Sequence, residues 1–319
     1  MSYADRLFID NINNILENGI SDENMDVRPV WEDDKSPAHT KAIFGMVDRY
    51  DLSKEFPIMT IRRTFWKSAL DEILWIWQKK SNNVHDLRSH VWDAWADETG
   101  SIGKAYGYQM GVKSCYRDVT EEGMVKAFRG GSVVSDGGSM KTFKDTKGRI
   151  AGVFNEEKGM WMLDQTDRII YQLNNDPGSR RIMCMMYIPE DLNEMALAPC
   201  AYSMLFNVMG GRLHSMLTQR SQDMAVANNW NTVQYSLITL LLSSAYGFKP
   251  GEFVHEVTNA HIYDRHIGPV KELIKGEQFE APGIWINPEI HDFYEFTTDD
   301  VKLIDYKYSE FDHKFPVAV

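Results

Sequence analysis

Apolar residues at Tyr3, Leu7, Phe8, Ile12, Ile15 and Leu16 recur at helical spacing and Gly19 ends the run, so the chain is predicted to open on an amphipathic helix. Residues 65–78 predict a second helix, buried and rich in tryptophan. A third spans 165–174 and is stopped by Asn175-Asp176-Pro177-Gly178. The period then shortens: residues 181–187 and 200–208 read as strands, and Gly210-Gly211 reads as a hairpin turn. Leu213, Ser215 and Leu217 alternate beyond it. Residues 230–246 predict a buried helix, 253–257 a strand, 261–275 another helix and 301–306 a last strand.

Two stretches break the pattern. Residues 27–39 are polar and punctuated by proline, which predicts a functional surface loop. Residues 111–159 are polar and rich in glycine, including Arg129-Gly130-Gly131-Ser132 and Asp136-Gly137-Gly138. They lack the lysine pattern of a phosphate loop and are expected to form a hairpin-bearing surface insertion.

With 319 residues, 43% hydrophobic and 25% charged, the chain is of globular type and long enough for one large domain or two small ones. Its net charge of -12 argues against a general nucleic-acid surface, though one phosphate needs only a local basic pocket. The most apolar stretch, 237–246, is too short and too rich in serine to span a bilayer. The charged start, Met1-Ser2-Tyr3-Ala4-Asp5-Arg6, lacks the apolar core of a signal peptide. Three cysteines, Cys115, Cys184 and Cys200, are an odd number without metal-type spacing. A cytoplasmic protein with a free thiol and no metal is therefore expected.

Cys200 follows Pro199 at the start of an amphipathic strand. It is either a small buried hydrophobe or a nucleophile, and no spacing identifies a histidine partner of the kind cysteine hydrolases use. Arg180-Arg181 open one strand and Gln219-Arg220-Ser221 close another. Arginine beside a thiol lowers its pKa and also grips phosphate bidentately. The alternative is that these arginines solvate strand ends.

Met195-Ala196-Leu197-Ala198-Pro199-Cys200 resembles the nucleophile strand of the thymidylate synthase family, and Asp176-Pro177-Gly178-Ser179-Arg180-Arg181 resembles its phosphate-binding arginine pair. Gln219-Arg220-Ser221-Gln222-Asp223, Asn231 and His261-Ile262-Tyr263 follow in the family's order and spacing. Glu72-Ile73-Leu74-Trp75, Trp92-Asp93-Ala94-Trp95-Ala96-Asp97-Glu98, Tyr106-Gly107-Tyr108-Gln109 and the terminal Pro316-Val317-Ala318-Val319 extend the likeness along the chain. The resemblance implies an α+β fold, with a large mixed β-sheet flanked by helices and a homodimer packed through the sheets. Residues 1–319 would form one catalytic domain, with the polar insertion at about 111–160.

The same resemblance implies roles. Cys200 would add to carbon 6 of dUMP and turn the ring into an enolate that accepts the one-carbon unit of 5,10-methylenetetrahydrofolate. Arg28, Arg220 and Ser221 would hold the phosphate, joined by Arg180 and Arg181 of a partner subunit. His261 and Tyr263 would bond the deoxyribose, while Glu72 and Tyr106 would organise the water that moves protons. Trp92, Trp95, Asp223, Ala318 and Val319 would face the folate. Asn231 would select uracil over cytosine, since a carboxamide matches a carbonyl and a ring N–H together; the family's deoxycytidylate-specific members carry aspartate there.

Several positions depart from the family. Ala227-Asn228-Asn229-Trp230 replaces the usual glycine-leucine-proline-phenylalanine, Thr258-Asn259 replaces Gly-Asp, Tyr187 replaces tryptophan and Ala201 replaces histidine. Similar losses in hydroxymethylases imply a dUMP hydroxymethylase, in which water captures the methylene intermediate. The intact tail implies the alternative, a thymidylate synthase, in which hydride captures it. A non-catalytic nucleotide-binding homologue is disfavoured, since Cys200, Arg220 and Glu72 are all present.

Overall fold

A computed structural model describes residues 1–135 and 140–318. The described helices are α1 (Tyr3–Asn18), α2 (Trp66–Leu74), α3 (Gly107–Gly111), α4 (Glu121–Ala127), α5 (Gln165–Asn175), α6 (Asn228–Tyr246) and α7 (Ile267–Leu273). The strands are β1 (Ile20–Ser21), β2 (Thr40–Asp51), β3 (Ser114–Tyr116), β4 (Ser132–Ser135), β5 (Lys141–Lys144), β6 (Ile150–Asn155), β7 (Met160–Leu163), β8 (Ile182–Met185), β9 (Ala201–Met209), β10 (Arg212–Asp223), β11 (Lys249–Tyr263), β12 (Gly283–Ile286) and β13 (Val301–Ile304).

The main sheet runs β1-β2-β11-β10-β9-β8. Strands β10 and β11 are parallel and the other neighbours antiparallel, so the sheet is mixed, as expected. Only a crossover can join parallel neighbours, and α6 supplies it. Gly210 and Gly211, at φ 58° and 74°, make the predicted two-residue turn between β9 and β10, a conformation that L side chains resist.

The registers give the two faces of the sheet different characters. Ile182, Phe206, Ser215, Phe253 and Tyr50 form one cross-strand row, buried beneath the helices. One residue along, the row Met183, Leu205, Met216, Val254 and Arg49 points the other way. Met183, Met185, Leu205, Met209 and Val47 are exposed on that side, an apolar surface that no element of this chain covers among the described residues.

Two sequence expectations need correction. The strand expected at 253–257 is β11, which extends to Tyr263, so the helix expected over 261–275 begins only after a short turn. His261, Ile262 and Tyr263 are paired with β2 on one side, and His261 with Asp223 of β10 on the other. That two-sided pairing outweighs the local helical pattern. The polar region expected to carry a hairpin instead builds a five-stranded sheet, β3-β7-β6-β5-β4, antiparallel throughout. It has a core of its own around Met124, Phe143, Trp161 and Leu163. Its strands are three to six residues long, too short for their alternation to stand out in sequence. Gly130 and Gly131, at φ 123° and 107°, turn the chain into β4, while Asp136-Gly137-Gly138 lies outside the described residues.

The segment before α2 is fixed from below. Asp5 of α1 is buried and accepts from the N–H of Thr60, the Thr60 hydroxyl and the N–H of Ile61, at 2.8, 2.5 and 3.2 Å. Three donors on one carboxylate hold the chain that leads to Arg62, Arg63 and Glu72. No described helix is long and apolar enough to cross a membrane.

Candidate active site

Cys200 lies immediately before β9, half-buried. Its N–H donates to the Tyr106 hydroxyl at 3.1 Å, and its carbonyl accepts from the N–H of Arg220 at 3.0 Å. The Arg220 side chain then reaches back over the loop, donating from Nη2 to the Ala198 carbonyl at 2.8 Å and from Nε to that of Pro199 at 3.1 Å. The Cys200 backbone is thus held on one side by a phenol and on the other by the Arg220 N–H. Burial raises the Cys200 pKa, while the charges of Arg220 and Arg28 pull it back down. Burial is the larger effect, and the two arginines offset part of it.

Tyr106 carries backbone strain, with φ at 42° in a residue other than glycine. Its ring lies 5.1 Å from that of Trp92, and burial raises its phenol well above the ordinary range. A strained, buried tyrosine against a cysteine is a common mark of a functional centre.

Glu72, on α2, is buried between two indoles. Trp92 donates to one carboxylate oxygen at 2.9 Å and Trp230 to the other at 2.7 Å. Burial raises the Glu72 pKa, and the donors from Trp92, Trp230 and Gln234 oppose that shift. Trp95, in a short turn, meets Trp92 edge-on at 5.7 Å. Asn231, in the first turns of α6, donates from Nδ2 to Gln234 Oε1 at 3.1 Å.

The residues expected at the sugar converge at the end of β11. His261 Nδ1 bonds Asn259 Oδ1 at 2.9 Å, and burial lowers its pKa, leaving the ring neutral at pH 7. Its ring meets Tyr263 edge-on at 5.1 Å, and burial pushes the Tyr263 phenol up to about 12. Ser221 pairs with Asn259 across β10 and β11. Asp223 accepts from the N–H groups of Ala225 and Val226, at 2.8 and 3.2 Å, and so shapes the turn into α6. The tail returns to this end of the sheet: His266 Nε2 bonds the Pro316 carbonyl at 2.7 Å, and Ala318 bridges to Trp31. Val319 lies outside the described residues.

Arg180 and Arg181 are exposed before β8 and are not among the cations acting on Cys200. Arg180 lines a cavity with Leu205, Met209 and His214 on the apolar side of the sheet. Within one chain the two arginines stay apart from the thiol.

A cavity of about 540 Å³ that the sequence did not announce opens beside Trp230. Phe65, Val226, Phe311 and Phe315 give it apolar walls, and Arg62, Arg63, His313 and Lys314 give it positive charge. Arg62 is half-buried, desolvation lowers its pKa to about 10, and its guanidinium lies 5.4 Å from the Phe315 ring. A flat aromatic group with an acidic tail fits such a lining. The basic pair Arg62-Arg63 just ahead of α2 was the available sequence signal.

Most of the departures from the family are absorbed by packing. Asn229 accepts from the Met59 N–H and the Thr64 hydroxyl, at 3.0 and 2.8 Å, and donates to the Pro57 carbonyl. Asn259 bonds His261, and the half-exposed Tyr187 meets Tyr202 edge-on at 6.4 Å. Ala201 is buried in the main core. Trp230 and Asn259 reach residues with expected chemical roles, Glu72 and His261.

Known proteins resemble the chain in sequence and in fold. The family model described as thymidylate synthase matches residues 6–319. Thymidylate synthase 1 of Bacillus subtilis (strain 168) is 39% identical over 313 residues, covering 97% of each chain. The thymidylate synthase of Bacillus phage phi3T is 39% identical and that of Bacillus mojavensis 40% identical, with the same coverage. Among solved structures, thermostable thymidylate synthase A from Bacillus subtilis superposes with a TM-score of 0.81 at 38% identity, over 100% of both chains. With both sequence and fold matched from end to end, the chain belongs to the thymidylate synthase family, the folate-dependent one-carbon transferases that draw on 5,10-methylenetetrahydrofolate.

Proposed function

We propose that the chain is a thymidylate synthase, converting dUMP to dTMP through a covalent adduct on Cys200. The Cys200 thiolate adds to carbon 6 of the uracil, which makes carbon 5 nucleophilic. Arg220 and Arg28, whose charges act on that sulfur, bind the phosphate, with Ser221 adding a hydroxyl. His261 and Tyr263 hydrogen-bond the deoxyribose, and Asn231 reads the base. Glu72 and Tyr106 order the water that removes the carbon-5 proton. 5,10-Methylenetetrahydrofolate supplies the one-carbon unit and the hydride. Trp92, Trp95, Asp223 and the tail at Ala318 and Val319 would hold it. Arg62, Arg63 and Lys314 suit its carboxylates.

Hydride capture, the second of the two endings drawn from sequence, is the better supported. The named relatives are thymidylate synthases at 38–40% identity. The single structural observation that favours it is the tail, seated on Trp31 and His266, where it would exclude water. Hydroxymethylation stays the second possibility because Trp230 alters the surroundings of Glu72.

Product analysis separates them. A synthase yields dTMP with stoichiometric dihydrofolate, read by its near-ultraviolet absorbance. In oxygen-18 water no heavy oxygen should enter the nucleotide. Dominant 5-hydroxymethyl-dUMP carrying the label, with tetrahydrofolate released, would replace the synthase by a hydroxymethylase.

We also propose that residues 1–319 act as one catalytic domain with the insertion at about 111–160, and that the active unit is a homodimer joined through the apolar face of the sheet. Arg180 and Arg181, remote from Cys200 in their own chain, would complete the phosphate site of the partner subunit. Mixing Cys200→Ala subunits with Arg180→Ala/Arg181→Ala subunits should then restore activity, since one hybrid site is intact. Silent mixtures with verified heterodimers would place these arginines outside the site.

A further inference from the structure

We propose that Trp230 is a positioning residue for Glu72, its indole N–H fixing one carboxylate oxygen while Trp92 fixes the other. The inference rests on Glu72 acting as the proton-handling group, as proposed above. Trp230 Nε1 lies 2.7 Å from Oε2 and Trp92 Nε1 2.9 Å from Oε1, so each oxygen has one dedicated donor. The two donors come from separate elements: Trp230 from α6, and Trp92 from the loop before a short helical turn. Phenylalanine, usual at this position in the family, has no N–H to offer.

The consequence is a carboxylate held in one orientation, with donors that oppose the rise in pKa that burial imposes. An indole is a donor only, so it bonds the ionised form and opposes protonation. This matters because burial alone pushes Glu72 upward, and the two indoles and Gln234 are what oppose it. The titratable groups facing Glu72 are Asp71 on its own helix, Tyr106 before α3 and Tyr235 on α6. Asp71 favours the protonated form, so the indoles also work against a like charge. Gln234, on the same helix as Trp230, adds a further influence that opposes the rise. With Trp230 removed, Oε2 would lose its donor.

The sign follows. Losing a donor to the ionised form raises the Glu72 pKa, so activity that needs the carboxylate falls away at a higher pH than in the native enzyme. Trp230→Phe should move the acid limb of the kcat profile upward by about one pH unit. The KM for dUMP should change less than kcat, because the nucleotide contacts proposed above are made by other residues. The readout is tritium release from dUMP labelled at carbon 5, with 5,10-methylenetetrahydrofolate present. If the phenylalanine variant does not fold, Trp230→Met fills the space without an N–H and carries the same expectation. A double-mutant cycle completes the test. If Trp230 acts through Glu72, its replacement should cost about tenfold near the acid limb in the native background and almost nothing in the residual activity of Glu72→Gln. An unmoved limb, or equal losses in both backgrounds, overturns the role of Trp230. A fully active Glu72→Gln instead overturns the assignment of Glu72, and the two failures are distinguishable.

Discussion

Cys200→Ala is expected to lower turnover by on the order of 10⁴-fold or more, the scale on which losing a covalent nucleophile acts. Neither remaining cysteine can replace it. Cys184 is buried on β8, which pushes its pKa up to about 12, so almost none is thiolate at neutral pH. Cys115 sits on β3, in the second sheet. Nucleotide affinity should survive, because Arg220 keeps both anchors to the Ala198 and Pro199 carbonyls whether or not the sulfur is present. Calorimetric titration with dUMP should therefore show binding close to native, while product formation disappears. An alanine variant that turns over near the native rate would rule out the covalent route. One in which binding vanishes as well would show that the thiol shapes the phosphate site.

The parts of this molecule legible in sequence are those whose signals are local. The spacing from Tyr3 to Leu16 gives α1, Gly210-Gly211 gives the hairpin, and the predicted helices at 165–174 and 230–246 match α5 and α6 to within two residues at each end. Where partners distant in sequence decide, the local pattern misleads. His261 to Tyr263 look helical but are strand, held by β2 throughout and at His261 by β10 as well. The second sheet escapes notice because each strand is short and its core forms only when they assemble with α4. The site divides in the same way. Cys200, Arg220, Glu72 and Asn231 were found through ordered motifs, not through periodicity. Their mutual geometry depends on contacts such as Trp230 to Glu72, 158 positions apart. The basic cavity near Arg62 is assembled from three separate stretches of chain, none of which looks like a binding site by itself.

Asn231→Asp is expected to swing the preference between dUMP and dCMP by on the order of 10³-fold or more, measured as the ratio of kcat/KM values in competition. The carboxamide offers uracil an acceptor and a donor together, whereas a carboxylate can accept from the cytosine amino group and must take up a proton to satisfy a ring nitrogen. The surroundings of Asn231 show why the swing should come at a cost in absolute rate. Asn231 Nδ2 donates to Gln234 Oε1 at 3.1 Å, which fixes which end of the amide faces the base. Aspartate would set an oxygen against that Oε1, so Gln234 would have to turn its amide over and donate instead. Its Nε2 now faces Glu72 and helps hold that carboxyl down; once turned, Gln234 would present a carbonyl oxygen there. Two acceptors facing each other in a buried site favour a protonated Glu72, which raises its pKa. The variant should therefore prefer dCMP yet process it more slowly than the native enzyme processes dUMP, with an acid limb displaced to higher pH. A preference that does not move would place base reading on a residue other than Asn231. A swing with no change in the pH profile would uncouple Gln234 from Glu72.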